Sequence, residues 1–116
     1  KKELADAANN QEFMIPAPVL IVFIADRQRA RKKYGSRGAE FFAIQDATIA
    51  AAYCQLAATA LGLGSVWIGG FDTKRACRLL KCSVHEYPVA IIPVGHPGEK
   101  FEGHERRDIK SLVSQL

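Results

Sequence analysis

Four glycines stand among apolar side chains in ALGLGSVWIGGF, Ala60 to Phe71. Glycine in such company either turns the chain or bares main chain to a ligand. A dinucleotide-binding fingerprint needs G-x-G-x-x-G between a strand and the helix it opens, because the pyrophosphate rests on the helix N-terminus. Here the order is inverted. Gly62 and Gly64 follow a helical pattern and lead into a strand-like one, and the residue three after Gly64 is Trp67. A P-loop is excluded too, since Lys and Ser/Thr are absent where its second glycine would require them. Gly62 and Gly64 are therefore turn residues. Gly69 and Gly70 differ, because they end an apolar strand, where backbone N–H groups can face a flat ligand. A plain turn ahead of a helix cap at Asp72 is the alternative.

The remaining reactive side chains carry weaker signals. Cys54, Cys77 and Cys82 are odd in number and form no C-x-x-C pair, which argues against a disulfide framework and a zinc site. They predict reduced, mostly buried thiols in a cytoplasmic protein. His85, His96 and His104 show no ligand spacing, so no metal site is expected. The net charge of +4 is concentrated in DRQRARKKYGSRG, Asp26 to Gly38. Such a run predicts a solvated loop or helix face. Nucleic acid is a poor fit, because Tyr34 is the lone aromatic there and no base-reading motif occurs. Attraction of a phosphorylated small ligand stays open.

The elements that must carry these residues follow from patterning. A chain of 116 residues suits one domain, residues 1–116. Its apolar runs are too short to span a bilayer, and no basic-then-apolar leader opens it. Lys2 to Asn9 is helical in composition and stops at an Asn-Asn turn. Val19 to Ile24 is a β-branched and aromatic run that predicts a buried strand ending at Asp26. FFAIQDATIAAAYCQLAATAL, Phe41 to Leu61, predicts a long helix. Its large apolar residues, Ile44, Ile49, Tyr53, Leu56 and Leu61, are not confined to one stripe, so burial by neighbours on several sides is expected. So small a chain offers little to cover it, and a second subunit is the natural source. Gly62 suits the C-cap of that helix. SVWI predicts a short buried strand, DTKRACRLLKC a short helix capped by Asp72 or Thr73, and YPVAIIPVG a third strand. A tail with Ile109, Leu112 and Val113 on one side ends the chain. Helix, strand, long helix, strand, helix, strand is an α/β sandwich order.

QDATIAAAYCQLAATALGLGSVWIGGF followed by YPVAIIPVGHPGE resembles the C-terminal half of the flavin-dependent nitroreductase family. The resemblance covers the chain from about Lys2 to Val113. It implies an α+β fold, a three-layer α/β/α sandwich of the nitroreductase type with a central mixed sheet and a long buried helix that forms a homodimer. FMN would bind at the subunit interface, with NAD(P)H as donor and a small nitroaromatic or quinone-like molecule as acceptor. By position, the Ile68-Gly69-Gly70 backbone would lie along the isoalloxazine ring, with the Gly69 amide aimed at the nitrogen that accepts hydride. Arg106 and Arg107 match the family's basic pair that binds the FMN phosphate; composition alone makes them a solvated tail. No catalytic acid or base is implied. The family's opening Arg-Ser-x-Arg and Pro-Ser-x-x-Asn segments do not occur here, so an N-terminally truncated form is expected. The alternative to an active enzyme is a non-catalytic dimeric remnant or fragment with an incomplete flavin pocket.

Overall fold

A computed structural model describes residues 1–100 and 102–114. Helix α1, Lys2–Ala7, turns at Asn9 and Asn10, both left-handed with φ of 57° and 58°. A single 3-10 turn, Glu12–Met14, leads to β1, Val19–Asp26. Asp26 then caps α2, Arg27–Arg37, by accepting the Arg29 N–H at 3.0 Å. The basic run is thus mostly helical, kinked at Gly35, where φ is 65°. A π-helical turn, Gly38–Phe42, joins it to α3, Ala43–Ala60. Gly62, with φ of 73°, makes the left-handed step after α3 into β2, Gly64–Ser65. Helix α4, Thr73–Leu80, and strand β3, Glu86–Gly95, complete the core elements.

The sheet order is β1-β3-β2, and both pairings are antiparallel. The sheet expected to be mixed is therefore antiparallel throughout its described strands. Strand β3 lies at the centre although it carries Pro88 and Pro93, each lacking an N–H for the ladder. Against β1 the register slips between Phe23 and Ile24, and the resulting bulge falls beside Pro88. Against β2, Gly64 faces Gly95, Ser65 faces Val94, and Ile68 faces Ile91 in the same phase. That phase sets Val66 opposite Pro93, at a position alternate to the Ile68–Ile91 pair that exchanges two hydrogen bonds. Pro93 cannot complete the exchange. The strand expected over SVWI accordingly breaks into a two-residue strand and an isolated bridge. Val66 and Trp67 are exposed, and only Ile68 of the four is buried.

Side chains alternate across β3 and so sort into two cores. Ile91 packs with Ala5, Ala8, Met14 and Ile68 on one face, beneath α1. Ala90 and Ile92 pack with Ala51 of α3 on the other. Helices on both faces of an antiparallel sheet make the α+β, three-layer sandwich. Within one chain the long helix is covered on one side alone. Ala43, Ala51 and Ala58, spaced about two turns apart, form the stripe that rests inward. Ile49, Tyr53, Leu56 and Leu61 stay exposed, Tyr53 by 68% and Leu61 by 76%. Small residues let the helix approach the sheet, which turns the large ones outward. The three cysteines are half-buried rather than buried.

Candidate functional site

The glycine pair is held by its neighbours on both sides. Ile68, 5% exposed, donates to the Ile91 carbonyl at 3.0 Å and accepts from the Ile91 N–H at 2.9 Å. Asn9 Nδ2 donates to the Gly70 carbonyl at 3.0 Å, across 61 positions of sequence. Asp72 N–H donates to the Ala7 carbonyl at 2.8 Å, while its carboxylate caps α4 by accepting the Arg75 N–H at 3.0 Å. That bond, chiefly, holds the Asp72 carboxyl below its ordinary range. An exposed ion pair, Arg75 to Asp6 at 3.8 Å, also joins α4 to α1.

The outcome is a short exposed main-chain segment whose ends cannot move independently. Among the described residues, the Gly69 and Gly70 N–H groups have no hydrogen-bond partner. The two glycines are not equivalent. A Cβ built on Gly69 would lie 3.1 Å from Trp67 Nε1, whereas one on Gly70 would meet Asn9 Nδ2 at an ordinary 3.7 Å. Bare backbone at Gly69 therefore coincides with tight local space and a free donor, the features that a planar ligand with an acceptor atom requires. An exposed, unpartnered amide is what a flat ligand with an acceptor atom, such as a flavin ring, would need there.

Arg106 and Arg107 are placed differently. Both are exposed, in irregular chain after β3, and neither has a hydrogen-bond or ion-pair partner among the described residues. Of Ile109, Leu112 and Val113, expected to form an amphipathic tail, only Ile109 lies in the single 3-10 turn, Ile109–Ser111, and all three are exposed.

Two other concavities flank the sheet. A largely apolar cleft of about 700 Å³ opens between Phe13, the Pro16–Pro18 segment, β2 and the end of β3. A smaller one of about 380 Å³ sits between β1, α2 and α3, with Arg29 facing Asp26 and Asp46. Two carboxylates to one guanidinium disfavour a phosphate there. Much of the remaining α2 charge is spent on surface contacts: Arg27 Nε donates to the Ala39 carbonyl at 3.0 Å, and Arg37 lies 5.6 Å from the Phe41 and Phe42 ring centres. Reading the sequence did not single out Asn9 or Trp67. Asn9-Asn10 signals a turn, but nothing in it points to a carbonyl so distant in sequence.

The described chain is a two-faced α+β sandwich with bare, hydrogen-bonded backbone at a sheet edge. Comparison with known proteins makes that class specific. The model of the Nitroreductase family matches residues 1–96, and the chain belongs to this family. It is 36% identical to the NADPH-flavin oxidoreductase of Vibrio harveyi over 122 residues, covering 99% of this chain and 51% of that protein. It is 30% identical to the NAD(P)H FMN reductase of Bacillus subtilis over 113 residues, covering 86% of this chain and 45% of the relative. The solved structure of the Vibrio harveyi NADPH:FMN oxidoreductase with NAD+ superposes with a TM-score of 0.85 at 28% identity, covering 97% of this chain and 51% of that one. The chain thus spans about half the length of these relatives. No described helix is long and apolar enough to cross a membrane.

Proposed function

We propose that the protein is an FMN-dependent oxidoreductase, drawing on NAD(P)H and reducing small nitroaromatic or quinone-like acceptors by ping-pong hydride transfer, as a cytoplasmic homodimer. The Gly69 amide carries this reading: it is exposed, without a partner among the described residues, and fixed between the Ile68–Ile91 pair and the Asn9–Gly70 bond. Family membership and the names of the relatives support the same pair of cofactors.

Bound FMN supplies the redox chemistry. The chain's own part is to place and polarise. Gly69 N–H would donate to the bound ring, and a donor already fixed in place needs no reorganisation. The Ile68 and Gly70 main chain would line that ring. Arg106 and Arg107 would supply guanidinium forks for the phosphate. The second protomer covers the outward face of α3. Burying each large side chain there contributes about 1.5–3 kcal/mol. The Cα radius of gyration, 16.4 Å, also exceeds the roughly 13 Å expected of a closed globule of this length. Three free thiols accord with a reducing compartment.

A dimeric remnant with an incomplete flavin pocket is the second reading, favoured by the unanchored Arg106 and Arg107. Titration with FMN separates the two. An active chain develops a perturbed flavin absorbance and oxidises NAD(P)H faster than free flavin. A colourless chain with no turnover above free flavin leaves the remnant. In sedimentation, Tyr53→Glu with Leu56→Glu is expected to convert a dimer to a monomer; a parent that is already monomeric removes the dimer from the proposal.

A further inference from the structure

Two thiols at the C-terminus of α4 have no part in the chemistry above. Lys81 takes the left-handed conformation, φ 56° and ψ 39°, and ends the helix. Two hydrogen bonds then fold the chain back on itself. Lys81 N–H donates to the Arg78 carbonyl at 3.3 Å, and Cys82 N–H donates to the Cys77 carbonyl at 2.9 Å. In this paired cap the residue after the left-handed one commonly lies in side-chain contact with the residue that begins the last turn. Here both positions are cysteine. Each is free and half-buried, hence open to small reagents. Disulfide formation requires Cβ atoms about 3.5–4.5 Å apart, and the Cys77 side chain is near enough to act on the Cys82 thiol.

The surroundings distinguish the two sulfurs. Glu86 lies next to Cys82, its carboxylate accepting the Ser83 N–H at 2.7 Å. Burial first, then Cys77 and Glu86, push the Cys82 thiol up to about 11. At neutral pH Cys82 is therefore protonated and slow to attack.

The geometry points to a redox-active dithiol: Cys77 and Cys82 close to an intramolecular disulfide when they meet a low-molecular-weight disulfide such as oxidised glutathione. Cys77, as thiolate, attacks one sulfur of the glutathione disulfide and expels the other half as a thiolate. Cys82 then loses its proton to solvent, and its sulfur attacks Cys77 Sγ, releasing the second glutathione. Two cysteine thiols give up two electrons and two protons, and one disulfide is reduced to two thiols. The bridge fixes the turn at Lys81. Helix α4 runs from this pair to the Asp72 cap beside the glycine strip, so the two features share one element.

Glutathione buffers of increasing oxidised fraction, applied to the full chain without flavin, test this directly. The free-thiol titre is expected to fall from three to one, with peptide mapping linking Cys77 to Cys82 and leaving Cys54 free. Cys82→Ser is expected to trap one glutathione on Cys77 as a lasting mixed disulfide. Cys77→Ser is expected to react more slowly than Cys82→Ser, because burial and Glu86 still raise the remaining thiol. Cys54→Ser oxidises like the parent, and circular dichroism confirms that each variant is folded. Three thiols surviving in fully oxidised glutathione would overturn the assignment. So would a bridge that includes Cys54 or joins two chains. A Cys77→Ser variant as fast as Cys82→Ser would overturn the order of attack.

Discussion

The strip at Ile68–Gly70 and the segment at Arg106–Arg107 are assigned to opposite ends of one cofactor, yet they are built in opposite ways. The strip is fixed by the main-chain bonds of Ile68 to β3 and by the Asn9 side-chain amide, which donates to the Gly70 carbonyl, and an Ile91–Met14 core lies beneath it. The arginines hang on irregular chain with no partner among the described residues. A donor that must meet one ring atom gains from being immobile before the ligand arrives. A guanidinium that meets a phosphate gains mostly from charge, and tolerates being ordered on binding at some entropic cost. On the proposed assignment the ring end is preorganised and the phosphate end is ordered only on binding.

The largest expected effect undermines the footing of the strip. Ile91 is fully buried, and Ile91→Ala should destabilise the fold by about 2–5 kcal/mol in denaturant unfolding, since it leaves a cavity under the Ile68 bridge. A loss below 1 kcal/mol, on the order of a surface change, would show the strip to be supported from elsewhere.

Next comes the difference between the two glycines. Gly69→Val should weaken FMN binding by about tenfold or more, because its side chain enters the space beside Trp67 and covers the donor. Gly70→Ala meets only ordinary contact and should leave binding within about twofold. Equal losses at both positions would remove the special role of the Gly69 amide.

Arg106→Ala with Arg107→Ala should also lower FMN affinity, by about tenfold for each charged hydrogen bond lost, with a weaker dependence on salt than the parent. The unfolding midpoint should not move, since neither side chain holds the fold. A shifted midpoint with unchanged FMN affinity would reverse the contrast between the two regions.

The smallest effect concerns acid. The Arg75 N–H holds the Asp72 carboxyl below its ordinary value. A lowered native pKa adds stability that is complete above the unfolded value of about 3.9 and disappears as pH falls through the native one. Thermal unfolding of Asp72→Asn should therefore show a flatter decline than the parent between about pH 4 and 2. A parallel decline would show that the cap contributes nothing that titrates.

Local features of the fold were legible in the residues. Val19–Asp26 and Glu86–Gly95 are strands because apolar β-branched runs there are bounded by breakers. Asp72 caps α4, and Gly62 takes the positive φ that a helix end needs. SVWI was misread because its partner comes from distant sequence: it has every property of a strand, but its ladder fails because Pro93 faces Val66. The long helix has apolar residues all round, and the sequence did not say that its alanines would be the ones to dock on this chain's own sheet. Of the candidate site, the sequence made the glycines conspicuous without choosing between a turn and a ligand contact.

Composition and short-range spacing determined which segments are helix or strand and where each stops, because propensity, caps and breakers act within a few residues. They also determined that Gly69 and Gly70 carry no side chain to shield their amides. Only the tertiary structure decided that Gly69, rather than Gly70, sits in tight space on a fixed strip, since that depends on Asn9 and Ile91, both distant in sequence, as well as on how the neighbouring Trp67 turns back. It likewise decided which face of α3 is left outside, because that choice follows from how closely alanine lets a helix approach a sheet.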